Sequence, residues 1–435
     1  MGDRPNIIFY FSDQQRWDTL GCYGQTLPVS PNLDMLAKEG TRFENAFTCQ
    51  PVCGPARACI QSGLWATQTG CFRNGVALPD ETKTIANLFD EAGYDTAYIG
   101  KWHLASDKNH RLETLPVPAE RRGGYKSYWM AADALEFTSS GFGGFVYDGE
   151  NKKMPFKGYR ADCINNFALE YLKNRSSGNP FFLFISQLEP HHQNNRLRYQ
   201  SPKGTRKNFK NYDVPGDLEG TGGDWRLHYP DYLSCCNRLD YNVGLLVETL
   251  KDLGIYDNTV LIYSSDHGSH FRTRNSEYKR SCHEGCIRVP MIARGPGFDG
   301  GGAIEELVSL IDIPPTLLDC AGIAAPSDFA GKSLKPLAKG SENEWRDHVF
   351  LQISESQTGR AIRTKEWKYS VTNDNTDSAF SPAYREAFLY DLINDPHERN
   401  NLVDDARYEN VRAELRAMLL KDMKDAGEPP AEIIL

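Results

Sequence analysis

The 435-residue chain has no apolar run approaching the roughly 18–20 residues that a membrane-spanning helix needs. It has no Lys/Arg block of the kind that follows a phosphate backbone, and its net charge is −9, so nucleic acid is not an expected partner. Its opening, "MGDRPNIIFYFSD", lacks the basic start, long apolar stretch and small-residue cleavage site of a secretory leader. A cytoplasmic location is therefore expected for the chain as given, or a periplasmic or secreted one if a leader has been removed. Internal repeats and low-complexity linkers are absent too. The eleven cysteines are odd in number and scattered, which argues against a disulfide scaffold and for mostly reduced, structural thiols. Cys282-x3-Cys286 has no second pair beside it with which to hold zinc.

What is present is an alternation of short apolar runs and amphipathic stretches. Residues 6–13, 96–103, 181–187 and 259–268 read as buried strands, rich in Ile, Val, Phe and Tyr and ending in polar residues or glycine. Helical spacing runs through 30–40, opened by Ser30 and Pro31, and through 83–93 and 236–254. Strands alternating with helices predict an α/β fold, a large and mainly parallel sheet sandwiched by helices. Two stretches, 105–160 and 190–230, have weak periodicity and read as long irregular insertions, lids or substrate loops. From about residue 336 the pattern becomes that of antiparallel strands followed by a charged helix. The expected organisation is a catalytic domain over 1–335 and a smaller α+β subdomain over 336–435.

Ligands of an open α/β sheet bind beyond the carboxyl ends of its strands, and the chemistry of this chain sits there. One strand ends in Asp13-Gln14, a second in Lys101 and His103, a third leads into His191-His192, and a fourth delivers Asp266-His267. An Asp after a strand is more often a helix cap or turn residue, but four strands ending this way are harder to dismiss. Two carboxylates, an imidazole and an amide oxygen make a hard site suited to Ca²⁺, Mg²⁺ or Mn²⁺. Lys101 and Arg57, with Lys279 and Arg288 as further candidates, give the pocket a positive interior fit for a tetrahedral oxyanion. Cys53 is odd beside them: Pro55 two positions on suits a first helical turn, so the thiol stands at a helix start.

Cys53-Gly54-Pro55-Ala56-Arg57 matches the Cys-x-Pro-x-Arg signature of the formylglycine-dependent sulfatases, in the alkaline-phosphatase-like superfamily. The resemblance spans the chain. It includes "RPNIIFYFSDQ", "GYDTAYIGKWHLA", "EPHH", "YSSDHG", "EYKRSCHEGCIRVPMIARGPG", "SLIDIPPTLLDCAGI" and "FLYDLINDPHERNNL" in order. It implies that a maturation enzyme oxidises Cys53 to Cα-formylglycine, whose hydrate attacks sulfur. It implies a metal, Ca²⁺ first and Mn²⁺ or Mg²⁺ next, on Asp13, Gln14, Asp266, His267 and modified Cys53. Arg57 and Lys101 are implied to hold the diol and sulfate oxygens, and His103 to act as base. His191, aided by Lys279, is implied to protonate the leaving alcohol, with adjacent His192 as competitor. Asn74 and His283 are candidate substrate contacts, and Arg288 is as readily a structural ion pair.

Two departures stand out. Many members carry Asp-Asp where this chain has Asp13-Gln14, and Asn where it has His267. An O-sulfated carbohydrate is the expected substrate, because Trp-, Tyr- and Gly-rich stretches could line a sugar pocket. The alternatives are a phosphonate monoester or phosphodiester hydrolase of the same superfamily, and an unmodified, non-catalytic anion-binding protein. "GKWH" weighs against the phosphonate alternative, since the enzymes of that kind used for comparison have neutral hydroxyl residues at those Lys and His positions.

Overall fold

The structure, a computed structural model, describes residues 4–342 and 344–434. Its centre is the strand Asn6–Asp13, buried along its whole length, with Phe181–Pro190 and Thr259–Ser265 parallel on either side. A parallel strand covered on both faces needs such a continuous apolar run. Alternation along it sends Ile7, Phe9 and Phe11 into one core layer and Ile8 and Tyr10 into the other.

Asp95–Lys101 and then Tyr128–Ala132 continue the parallel order beyond Phe181–Pro190. On the other side come Met291–Arg294, antiparallel to its neighbours, then Thr41–Phe47 and Ala303–Ser309. The sheet has eleven strands, mostly parallel at its centre with antiparallel additions, as the alternating pattern predicts.

The stretch 105–160 is more regular than expected. Gly143–Asp148 and Lys153–Lys157 form an antiparallel hairpin that extends the sheet. Lys153–Lys157 alternates exposed and half-buried residues and so carries little apolar signal. The long helix is Trp225–Asp252, beginning eleven residues ahead of the helical spacing at 236. Pro230 lies inside it, in the second turn, where its missing N–H leaves the Arg226 carbonyl without its i→i+4 donor. That first stretch buries Tyr229 and Tyr232 against Tyr199, Phe209 and Phe271, which orders part of the loop 190–230.

A second, five-stranded sheet holds His348–Ile353, Thr358–Thr364, Trp367–Asn373 and Ala383–Asp391 as an antiparallel meander, with Glu432–Ile434 added in parallel. The helix Glu409–Asp425 covers it through Leu415, Leu419 and Met423. Among the described residues no helix is long and apolar enough to cross a membrane.

The two sheets are tied by charge as well as packing. Lys368, on the second sheet, is fully buried and places Nζ 2.7 Å from Glu284 and 2.5 Å from Glu398. Glu398 in turn accepts the Glu284 backbone N–H at 2.8 Å. Removing one member of a buried ionic cluster leaves uncompensated charge, which typically costs about 3–5 kcal/mol. Lys368→Met is expected to lower stability by that order in urea unfolding, and an unchanged midpoint would show that the cluster contributes nothing.

Candidate active site

The parallel strands aim their carboxyl ends at one place. Asp13 ends the central strand, Lys101 ends Asp95–Lys101, His191 follows Phe181–Pro190, and Asp266 follows Thr259–Ser265. Adjacent strands lie about 4.8 Å apart, so residues at or just past their ends converge. Gln14 and His103 leave their strands with φ of 69° and 63°, left-handed conformations uncommon for residues other than glycine. The turn at Gln14 presents its backbone N–H to Asp266 Oδ1 at 2.9 Å, which locks the two strand ends together.

Cys53 is the first residue of the helix Cys53–Ser62 and is 1% exposed. Its Sγ lies 2.7 Å from Lys279 Nζ, 3.2 Å from His267 Nε2 and 3.4 Å from Asp13 Oδ1. Burial alone would push the thiol up. Lys101, Lys279 and His267 outweigh it and hold Cys53 well below the usual thiol range.

Asp13, Cys53, Asp266 and His267 place one ligand atom each within 4.8 Å of one another, all buried. Burial and then Asp13 push the Asp266 carboxyl up to about 6, and its Oδ2 has no hydrogen-bond donor. Asp13 is held below the usual carboxylate range despite burial and Cys53, because Lys101, His191 and Arg57 surround it. Two facing carboxylates, one with a buried oxygen that accepts no hydrogen bond and has only Arg57 at 3.6 Å, together with an imidazole, fit a divalent cation. Gln14 Oε1 accepts the His192 N–H at 2.9 Å, and Gln14 also lines the pocket.

Above this group opens a cavity of about 310 Å³. Cys53, Asn74, Lys101, His103, His191 and Lys279 all reach its wall. Lys101 Nζ is 2.6 Å from Asp13 Oδ2, and Lys279 Nζ is 3.4 Å from His191 Nε2. His103 touches the Cys53 side chain, and burial and then Lys101 lower its proton affinity. Asn74 Oδ1 accepts the Gly54 N–H at 2.9 Å, closing the start of the Cys53 helix. His192 turns away, its ring stacked on Tyr278 at 4.3 Å.

Two candidates, Arg57 and His283, sit elsewhere than the resemblance implied, and Arg288 takes a structural position, one of the two readings left open for it. Arg57 lies beneath the cavity wall. Its fork meets Asp13 at 3.0 Å, the Lys101 carbonyl at 3.0 Å and Ser186 Oγ at 2.6 Å, so it acts on the residues that line the pocket. His283 is buried away from the cavity, 3.1 Å from the Tyr390 hydroxyl and edge-on to Phe388, a packing position rather than a substrate contact. Arg288 donates to the Glu44 carbonyl at 2.6 Å. Sequence reasoning missed Ser186, whose only mark is a small polar residue inside "FFLFISQ", and the pocket-lining Asp133, Glu136, Phe137 and Arg280.

A family model described as Sulfatase matches residues 5–323, and one described as N-sulphoglucosamine sulphohydrolase, C-terminal, matches residues 276–425. An ulvan-active sulfatase of Formosa agariphila is 30% identical over 98% of this chain and 82% of its own length. An N-acetylglucosamine-6-O-sulfatase of Bacteroides thetaiotaomicron is 27% identical over 99% of this chain and 89% of its own. A protein solved in complex with its substrate D-glucosamine-2-N,6-O-disulfate superposes with a TM-score of 0.79 at 25% identity, covering 98% of both chains. The phosphonate monoester hydrolase of Agrobacterium radiobacter superposes with a TM-score of 0.72 at 22% identity, covering 97% of this chain and 96% of its own, a likeness of fold alone.

If the four buried groups hold a cation, Asp266→Ala should weaken Ca²⁺ binding by more than about tenfold, the lower bound for losing a partner that merely orients a ligand. Calorimetric titration of the purified chain reads this directly, and equal affinity in both proteins would exclude Asp266 as a ligand.

Proposed function

The chain belongs to the sulfatase family, and we propose that it hydrolyses the O-sulfate monoester of a carbohydrate with a nucleophile made from Cys53. The observation that carries this reading is the place of Cys53. A buried helix-start thiol stands among Lys101, Lys279, His103 and His191, directly over Asp13, Asp266 and His267. A thiolate is a soft nucleophile towards sulfur(VI) and forms an adduct with no easy exit. Oxidation by a formylglycine-generating maturation enzyme would supply instead a hydrated aldehyde with two hydroxyls, one to attack and one to drive release of sulfate. A divalent ion, Ca²⁺ foremost, held by Asp13, Gln14, Asp266, His267 and the modified residue 53, would supply charge neutralisation and lower the proton affinity of a bound hydroxyl.

The remaining steps fall to side chains of the chain itself. Lys101 and Lys279, on the cavity wall, hold the negative sulfate oxygens as charge shifts during bond breaking. Arg57 keeps Asp13 and the Lys101 backbone in register from below. His191, with Lys279 Nζ beside its Nε2, is placed to deliver a proton to the leaving oxygen. His103, whose proton affinity burial and Lys101 lower, takes a proton from the side chain at position 53 in this reading.

The carbohydrate reading is supported by the names of the two relatives and by the substrate of the solved complex. The cavity also suits one ring: about 310 Å³, with Phe137 on its wall 57% exposed as a face on which a sugar can stack.

The test is turnover of sulfated monosaccharides, an aryl sulfate and a phosphonate monoester by protein with quantified aldehyde content. Sulfate esters are expected to be the better substrates. Lys101→Ala at equal aldehyde content should lose at least about a hundredfold in kcat, the scale for removing a charge-stabilising donor. Phosphonate turnover with inert sulfate esters would favour the phosphonate hydrolase reading. Near-normal activity of the folded variant would sink the role of Lys101.

A further inference from the structure

The cavity has opposite charge at its two ends. At its base, around Cys53, are Lys101 and Lys279. Its outer wall carries Glu113, Glu136 and Glu277 against one guanidinium, Arg280, and the fully buried Asp133 adds a further carboxylate behind the lining. That guanidinium is already taken, by Glu277 at 3.3 Å and by Glu355. The other three carboxylates have no ion-pairing cation among the described residues. Asp133 accepts the Ala105 and Ser106 N–H groups at 2.9 and 3.0 Å, and Glu136 accepts the Asn194 N–H at 2.6 Å. Glu113 is half-buried on a turn.

A cavity of about 310 Å³ leaves little distance between these ends, so a bound ring that puts its sulfate at Cys53 brings its other substituents to the carboxylates. Like charges brought together in a partly desolvated site repel, while an ammonium there is drawn in. A second sulfate or a carboxylate on the ring would meet Glu113 and Glu136, neither of which has an ion-pairing cation among the described residues.

We propose that the outer carboxylates make this site selective for sulfate esters whose ring carries an ammonium group or no further charge, and that they reject a second anion. This rests on the sulfatase reading of the pocket and adds the charge of the substrate to it. Glu113 and Glu136 are specificity-determining residues: they sort substrates by net charge without touching the bond that breaks.

The experiment compares kcat/KM for three sulfated hexosamines that differ only at nitrogen, bearing a free amine, an N-acetyl group or an N-sulfo group. A matched aryl sulfate series carries aminomethyl, methyl or carboxylate arms. In whichever series is turned over, the expected order is ammonium, then neutral, then anion. The ammonium substrate is expected to exceed the anion by at least about thirtyfold at low salt, narrowing as salt screens the wall. Glu113→Gln, on a turn with no side-chain partner among the described residues, should narrow that ratio at least about threefold, and Glu113→Gln/Glu136→Gln further. Thermal unfolding checks that each variant is folded. An anionic substrate used as well as or better than its ammonium counterpart, or a ratio unmoved by Glu113→Gln, would overturn the inference. Turnover confined to the aryl series, with the charge order kept, would overturn the carbohydrate reading and leave the charge selectivity standing.

Discussion

The contact on which the rest of this structure depends is the one between the buried Asp13 carboxylate and its two cations, Lys101 Nζ at 2.6 Å and Arg57 at 3.0 Å. A carboxylate sealed at the end of the central strand is tolerable only if paired, because desolvating an unpaired charge costs several kcal/mol. The pairing determines the surroundings. Lys101 comes from the parallel strand two places away, beyond Phe181–Pro190, and Arg57 comes from the helix that begins at Cys53. Arg57 also binds the Lys101 carbonyl and Ser186, so three strands and the helix start share one guanidinium. Cys53 is thereby fixed 3.4 Å from Asp13 and within reach of Lys279.

The second sheet takes part in this arrangement. Lys279 and Arg280 lie on a loop that turns over Cys53, and Arg280 is gripped by Glu355 from the loop between the first two strands of that sheet. The same Glu355 accepts the Asn74 N–H at 2.6 Å, and Asn74 closes the Cys53 helix start. Glu284, just beyond the lysine loop, is bound by Lys368 and Arg363. The smaller sheet thus serves as a backing plate for one wall of the cavity, which gives the charged base and the charged rim a common support.

Much of this was legible from residue order, and the reasons are physical. Strands buried on both faces must be apolar throughout, so Asn6–Asp13 and Thr259–Ser265 announce themselves, and the polar residues that end them are conspicuous. Asp13, Lys101, His191 and Asp266 could be picked out for that reason, and Cys53 by the motif it opens. Ser186 could not: one hydroxyl in an apolar strand acquires meaning only when Arg57 arrives from a distant helix. His283 misled because it follows the lysine loop closely in sequence. Only the folding of the second sheet shows its ring to be occupied by Tyr390 and Phe388. The hairpin Gly143–Lys157 and the early start of the helix at Trp225 were obscured by half-exposed alternation and by Pro230. The charge of the outer wall was equally hidden, since Glu113, Glu136 and Glu277 meet only around the cavity.

The most direct measurement is the mass of the peptide spanning Cys53, from protein produced with and without a formylglycine-generating enzyme, beside hydrolysis of sulfate esters by the same samples. Conversion of the thiol to the aldehyde, with activity rising in proportion to the converted fraction, is the expected result. Full conversion with sulfate esters left intact, or full activity from protein whose Cys53 is still a thiol, would contradict it.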